Sequence, residues 1–114
     1  MEKYKIFTIL GTRPEIIKLS RIINIFDKFF NHKIIHTGQN YDYELNQIFF
    51  DDLQIRKPDY FLEAAGTTAT ETIGNILIKV DPLLEQLKPD AFPVLGDTNS
   101  CLCAIPAKKK HIPI

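Results

Sequence analysis

The stretch IFTILGTRPE, residues 6–15, decides the fold of this chain. Its first five residues form an apolar run that is typical of a buried strand. Gly11 permits a sharp turn, and Pro14 falls in the first turn of the helix that follows, where its missing N–H costs nothing. Thr12 and Glu15 have the Thr-x-x-Glu spacing of a capping box. A strand therefore ends where a helix begins, and open α/β folds bind their ligands at such places.

Arg13 lies inside this turn, beside the positive end of the predicted helix. Its guanidinium is suited to a diphosphate held there. The alternative is a solvated arginine at an ordinary helix start, which fits most such loops. Because an arginine at this position opposes the helix dipole, a functional reason for its presence is favoured.

Two further strand ends carry polar motifs, HTGQ at residues 36–39 and VLGDTNS at residues 94–100. Together with GTRPEIIK at residues 11–18, they give the chain a resemblance to the non-hydrolysing UDP-N-acetylglucosamine 2-epimerases. The pattern of that family is strand, G-T-R-P-E-x-I-K, helix, strand, T-[AG]-Q, and a later strand ending in G-D-T. The resemblance runs over essentially all 114 residues. G-T-R-P-E-x-I-K is specific, whereas G-D-T by itself is weak.

The composition limits the classes of partner. The chain has 14 Lys+Arg and 14 Asp+Glu, and 45% of its 114 residues are hydrophobic. One globular domain with no nucleic-acid or anionic membrane partner is therefore expected. No apolar run reaches the roughly 20 residues of a spanning helix, and residues 1–10 do not form a signal peptide, so we expect a cytoplasmic protein. Cys101 and Cys103 are expected to be small buried hydrophobes, not zinc ligands.

Apolar periodicity predicts that strands and helices alternate along the whole chain. The predicted strands are 5–10, 33–36, 60–62 and 91–95, and the predicted helices are 14–30, 43–53, 68–87 and 98–109. Pro82 predicts a kink or break near Asp81. The alternation predicts an α/β fold, a Rossmann-like parallel sheet with helices on both faces. Gly11, Gln39 and Asp97 would then share one edge of the sheet.

The resemblance implies a larger architecture. Residues 1–114 would be the incomplete N-terminal Rossmann-like domain, the first half of a GT-B-like two-domain enzyme. The second domain, absent from this sequence, would carry most of the uridine contacts.

The resemblance also implies roles for four residues. Asp97 would be a catalytic carboxylate, Arg13 would bind the diphosphate, and Lys18 and Gln39 would contact the sugar or a phosphate. Each has a plainer alternative: an N-cap for Asp97, a surface salt bridge to Glu15 for Lys18, and a turn residue for Gln39. His36 is interpreted as structural, because the family does not require histidine at that position.

The segment after Gln39 departs from the pattern of many bacterial members, which continue with H-R-x-M as part of an effector site. Asn40 and Tyr41 stand at the first two of these positions. Activation by substrate through such a site is not expected here. The segment looks more like the subgroup acting in pathways to 6-deoxy amino sugars, which leaves the UDP-sugar open.

The reaction that the resemblance implies is inversion at C2 of a UDP-2-acetamido sugar by elimination and re-addition of UDP, in cell-surface polysaccharide biosynthesis. No metal or redox cofactor is implied, because the oxidation state at C2 does not change overall. Full-length homologues would be homodimers. Two alternatives stay open: the acceptor domain of a GT-B glycosyltransferase, and a non-catalytic remnant.

Overall fold

The computed structural model describes residues 4–11, 13–38, 56, 58–94 and 102–114, with only the backbone at Arg13. Its elements, in chain order, are strand β1 (Lys5–Leu10), helix α1 (Arg13–Phe29), strand β2 (Asn31–His36), strand β3 (Tyr60–Phe61), helix α2 (Ala69–Leu87) and helix α3 (Ala104–Lys109). No helix within these ranges has the length and hydropathy that crossing a bilayer requires.

The strands form a parallel sheet in the order β1-β2-β3. The register of β1 with β2 runs from Lys5↔Asn31 to Leu10↔His36. On the other side of β1, Ala91 forms a parallel bridge with Ile6. Beyond it, the Phe92 N–H donates to the carbonyl of Pro113 at 2.8 Å. The chain therefore extends the sheet from β1 in both directions, as in a doubly wound fold.

Side chains alternate between the two faces of the sheet, and each face is covered by helix. One core cluster joins α1 to the sheet through Leu10, Ile16, Leu19, Ile23 and Ile34. The other core cluster joins α2 and α3 to the opposite face and includes Phe7, Ile9, Ile35, Ile76, Val80, Leu84, Phe92, Cys103 and Ala107. The predicted parallel sheet with helices on both faces is confirmed, as is the burial of Cys103.

Helix α2 begins with the predicted cap, since Thr68 Oγ1 accepts from the Glu71 N–H at 3.0 Å. Of the kink or break predicted near Asp81, a break is not present, because α2 continues to Leu87, whereas a kink stays a prediction. Pro82 is exposed and lacks only its own N–H, whereas the stripe of Ile76, Val80 and Leu84 is fully buried. Packing of that stripe outweighs the cost of about 3 kcal/mol that proline carries inside a helix.

Some predicted bounds differ from the structure. The strand expected over 91–95 is reduced to a single bridge at Ala91. Pro93 has no N–H to donate to a neighbouring strand, which explains why regular pairing stops there. The predicted helix 43–53 and residues 98–101 of the last predicted helix lie outside the described residues.

Candidate functional site

The carboxyl ends of the three strands are joined side by side at one edge of the sheet. The Thr37 N–H donates to the Leu10 carbonyl and the Leu62 N–H to the His36 carbonyl, both at 2.9 Å. The pairing continues past the strands, where Ala64 donates to Thr37 at 2.9 Å. The backbone that follows β1, β2 and β3 is therefore fixed at a common edge, which we call the carboxyl edge.

Helix α1 begins at this carboxyl edge. Gly11, which follows β1 directly, is buried, and Arg13 is the first residue of α1. Glu15, in the first turn, has no exposed surface. A carboxylate in the first turn interacts favourably with the helix dipole. The positive end of that dipole lies beside the ends of β1 and β2. The start of a helix is a common place for anions to bind, so the start of α1 is a candidate anion site.

Gly38 makes the closest backbone approach at this edge. Its φ is +64°, and a Cβ there would lie 2.8 Å from the Glu63 nitrogen and 2.9 Å from the Glu63 Cα. Glu63 itself has φ of 50°. The Lys79 ammonium donates to the carbonyls of Leu62 at 2.8 Å and Glu63 at 3.1 Å. The loop after β3 thus lies against Gly38, and no sequence motif indicated the Lys79 contacts that hold this loop.

His36 is buried under the same turn. Its Nδ1 accepts the Gly38 N–H at 2.9 Å, so the neutral ring carries its proton on Nε2. The Phe61 ring packs against it with a centroid distance of 4.9 Å. Burial lowers the pKa of the imidazole from 6.5 to about 4. A neutral ring that fixes a turn is the structural role expected for His36, not that of a general base near pH 7.

Three of the six buried polar residues among those described lie at the carboxyl edge. Glu15, His36 and Thr37 each have 0% of their surface exposed. The Thr37 hydroxyl has no hydrogen-bond partner within the described part of the chain. Burying a hydroxyl without a partner costs free energy, so Thr37 is the group at this edge whose burial packing alone does not explain.

The four predicted site residues are described to different extents. Lys18 is exposed on α1, one turn from the helix start, whereas Glu15 is buried, so the two side chains differ in environment. The backbone of Arg13 lies at the carboxyl edge, and its side chain lies outside the description. Gln39 and Asp97 also lie outside the described residues, since Gln39 falls in the gap 39–55 and Asp97 in the gap 95–101.

A carboxylate–imidazole–hydroxyl chain occurs at the opposite, amino-terminal edge of the sheet. Asp27 Oδ1 accepts from His32 Nδ1 at 2.8 Å, and His32 Nε2 lies 2.7 Å from Thr8 Oγ1. Burial lowers the pKa of His32, and the hydrogen bond to Asp27 opposes this. Because Thr8 is only 1% exposed, no substrate reaches its hydroxyl. The chain of contacts is therefore interpreted as structural.

Arg56 closes this amino-terminal cluster. Its guanidinium binds Asp27 at 3.1 Å, Asp59 at 2.8 Å and the His32 carbonyl at 2.8 Å. A polar groove of about 620 Å³ lies over these residues, away from the sequence motifs. Arg56 lies 29 residues from Asp27 in the sequence, so no local spacing could have predicted that these two side chains meet.

Comparison with known proteins agrees with this geometry. A model of the UDP-N-acetylglucosamine 2-epimerase family matches residues 26–114. The structure of a UDP-N-acetylglucosamine 2-epimerase from Rickettsia bellii is 57% identical, with a TM-score of 0.89 over 99% of this chain and 30% of that one. A Methanocaldococcus jannaschii UDP-GlcNAc 2-epimerase, solved in complex with UDP-GlcNAc and UDP, is 44% identical, with a TM-score of 0.87 over 95% of this chain and 30% of that one.

A relative with a different named substrate is similarly close. The UDP-2,3-diacetamido-2,3-dideoxy-D-glucuronate 2-epimerase of Pseudomonas aeruginosa is 41% identical over 96% of this chain and 32% of its own length. The chain thus spans about a third of the length of the relatives it matches.

Proposed function

Because the chain belongs to the UDP-N-acetylglucosamine 2-epimerase family, we propose that it supplies the N-terminal half-site of an enzyme that inverts C2 of a UDP-2-acetamido sugar. The observation that carries the proposal is the start of α1 beside Thr37 and Gly38 at the carboxyl edge. The named substrates of the M. jannaschii and P. aeruginosa relatives are both UDP-sugars of this class. The particular sugar, including the 6-deoxy pathway subgroup, stays a prediction.

The proposed reaction makes two demands on the protein. The bond between the anomeric carbon and the diphosphate breaks as the C2 proton leaves, and the intermediate then takes UDP back after proton delivery to the other face. Negative charge on the leaving diphosphate must be stabilised, and acid and base groups must lie on both faces of the ring.

We assign stabilisation of the leaving diphosphate to Arg13 and acid–base chemistry at the sugar ring to Asp97. Arg13 begins a helix of 17 residues, so its guanidinium would act together with the positive end of the helix dipole. Asp97 would exchange the proton. Lys18 and Gln39 would orient the sugar or a phosphate oxygen.

Residues 1–114 are assigned to the first domain of a two-domain, GT-B-like protein. The chain matches about 30% of each related structure, which fits one incomplete domain of such a protein. A second domain would close over the uridine and exclude water from the cleft. We further propose that the complete protein is a cytoplasmic homodimer.

A chimaera tests the catalytic assignment directly. The corresponding N-terminal residues of the R. bellii epimerase, the 57% identical relative, are replaced by residues 1–114 of this chain. The chimaera is incubated with UDP-N-acetylglucosamine in D₂O, and C2 deuterium and the C2 epimer are measured by mass spectrometry and NMR. Exchange together with epimer formation supports the proposal, and a folded chimaera that binds UDP but exchanges no proton contradicts it.

Matched variants of the chimaera separate the roles. Asp97→Asn is expected to lower turnover by about 10² to 10⁴ while UDP still binds, because the amide keeps a helix cap but cannot exchange the proton. Glu85→Gln is its control, since Glu85 is an exposed carboxylate near the end of α2. Arg13→Ala should mainly weaken UDP binding, whereas Arg21→Ala, on the same helix, should not.

A further inference from the structure

Two side chains of helix α2 bind the backbone that follows β3. Lys79 Nζ donates to the carbonyls of Leu62 at 2.8 Å and Glu63 at 3.1 Å. One turn earlier on the helix, Asn75 Nδ2 donates to the Ala64 carbonyl at 3.2 Å. Three successive carbonyls are therefore bound by α2, and two of them share the ammonium of Lys79.

The same segment, residues 62–65, also binds the backbone that follows β2, and we call it the β3–α2 loop. The Ala64 N–H donates to the Thr37 carbonyl at 2.9 Å, and the Ala65 N–H donates to the Gly38 carbonyl at 3.1 Å. The carbonyls of the loop are thus bound by α2, while its N–H groups bind the carboxyl edge. The loop links the two by hydrogen bonds.

Glu63 has a backbone conformation that a residue with a Cβ does not favour. Its φ is 50°, in the left-handed region. The carbonyls bound by Lys79 belong to the two peptide groups on either side of the Glu63 Cα, and φ and ψ of Glu63 are the only free rotations between these groups. Because one ammonium binds both carbonyls, it restrains both rotations. Such charge-assisted bonds are stronger than neutral ones.

Gly38 packs against the restrained backbone of Glu63. A Cβ at Gly38 would lie 2.8 Å from the Glu63 nitrogen, so the two backbones are in direct contact. Gln39 follows Gly38 directly in the sequence, and the proposed function assigns to it a contact with the sugar or a phosphate. A change in the conformation of Glu63 would therefore shift the backbone from which Gln39 continues.

We propose that Lys79 is a positioning residue of the UDP-sugar site. By binding both carbonyls beside Glu63, it holds the β3–α2 loop against Gly38 and fixes the backbone next to Gln39. The inference deepens the proposed function and rests on it, because it needs Gln39 to contact the UDP-sugar. It adds a residue of α2 to a site that is otherwise assigned to α1 and to the segments after the strands.

Hydrogen exchange in the 114-residue chain tests the restraint. Lys79→Met removes the ammonium from an exposed side chain, and the amides of Ala64 and Ala65 should then exchange at least about tenfold faster, because their hydrogen bonds open more often. The amides of β1 report on the whole fold and should be unchanged. Lys28→Met, at an exposed lysine in the last turn of α1, is the matched control and should change none of these rates.

A second substitution separates the conformation of Glu63 from its charge. In the Lys79→Met background, Glu63→Gly should return the exchange of Ala64 and Ala65 to within about threefold of the wild type, because glycine adopts a positive φ without steric cost. Glu63→Ala removes the same carboxylate but keeps the Cβ, so it should not restore protection. Equal behaviour of the two double variants overturns the mechanism.

The R. bellii chimaera tests the link to the ligand. Lys79→Met should lower kcat for C2 deuterium exchange by about tenfold, since misplacing a group by about 1 Å can cost up to about 10²-fold. The Kd for UDP should change by less than about threefold, because the diphosphate is assigned to Arg13. Adding Glu63→Gly should recover most of the turnover. A purely structural lysine would leave kcat per folded molecule unchanged, with circular dichroism giving the folded fraction.

Failure of this inference and failure of the proposed function give different results. An active wild-type chimaera whose kcat is unaffected by Lys79→Met, or is lowered and not recovered by Glu63→Gly, overturns the inference alone. A wild-type chimaera that binds UDP but exchanges no proton contradicts the proposed function and, with it, the link to the ligand. Unchanged exchange of Ala64 and Ala65 in Lys79→Met overturns the restraint whatever the chimaera does.

Discussion

The burial of His36 at the carboxyl edge makes the stability of the fold depend on pH. Burial lowers its pKa from 6.5 to about 4, so the folded protein holds it neutral while the unfolded chain protonates it below pH 6.5. Its contribution to stability is therefore complete above pH 6.5 and is lost as the pH falls towards 4. The loss is about 3 kcal/mol in the free energy of unfolding, because each pKa unit corresponds to about 1.4 kcal/mol.

The variant His36→Asn should isolate this effect. The Asn amide oxygen can still accept the Gly38 N–H but does not titrate, so urea unfolding should show a flatter dependence on pH between 6.5 and 4 than in the wild type. Burial also lowers the pKa of His32, so His32 contributes to the pH dependence of both proteins. That contribution is the same in the two and cancels when their curves are subtracted. Parallel curves for the two proteins would contradict the burial of a neutral His36.

The backbone conformation at Gly38 explains why this position requires glycine. Gly38→Ala should lower the free energy of unfolding by roughly 2–5 kcal/mol, since the left-handed backbone and the contact with Glu63 backbone atoms both oppose a Cβ. Gly74→Ala is the control, because no atom lies within 4 Å of the added Cβ in α2. Gly74→Ala should stabilise by up to about 1 kcal/mol. Equal effects of the two variants in urea unfolding would refute the close approach at Gly38.

At the scale of elements, β1, β2, α1 and α2 were predictable because their apolar periods are long and uninterrupted. Contacts that depend on strand register or on helix placement were not predictable from the sequence. The Thr8–His32–Asp27 chain forms only when β1 and β2 align as they do, and the Lys79 contacts depend on how α2 crosses the end of β3. Such contacts link residues far apart in sequence, and local spacing carries no information about them.

The candidate site was predictable to the extent that its motifs follow the strands. The joined ends of β1 and β2 bring Gly11 and Thr37 to one edge, because parallel pairing of apolar strands requires it. The burial of Glu15 was not predictable, since a capping-box carboxylate is ordinarily at the surface. Convergence of Arg13, Gln39 and Asp97 at one sugar stays a prediction.

The start of α2 offers a test at the same scale. Thr68→Ala should lower the free energy of unfolding by about 1 kcal/mol, because the Glu71 N–H loses the acceptor that caps the helix. Thr70→Ala, at an exposed position inside the first turn, is the matched control and should be neutral or slightly stabilising. The midpoints of thermal unfolding of the two variants are compared. Equal midpoints would show that Thr68 does not cap α2 in solution.

At the scale of the whole molecule, the two edges of the sheet carry different kinds of contact. The amino-terminal edge is closed by the ion pairs of Arg56 with Asp27 and Asp59, which involve no sequence motif. The carboxyl edge holds the helix start, the Gly38 turn and the buried polar groups. Folding at one edge and ligand binding at the other is the usual division in open α/β proteins.

That division leads to a prediction about the 114-residue chain on its own: it should bind UDP weakly and show no measurable epimerisation, even with Arg13 and Asp97 present. Epimerisation needs acid and base groups on both faces of the sugar and a cleft closed to water, and one half-site provides neither. Positioning of the reacting groups is itself a large part of the rate, so a half-site should lose nearly all turnover.

C2 deuterium exchange compares the isolated chain with the R. bellii chimaera under the same conditions. The chimaera should exchange and the isolated chain should not, while Arg13→Ala should abolish the weak UDP binding of the isolated chain in NMR titrations. Exchange by the isolated chain that disappears in Asp97→Asn would show that one half-site suffices, and the second domain would then be needed for affinity and not for chemistry.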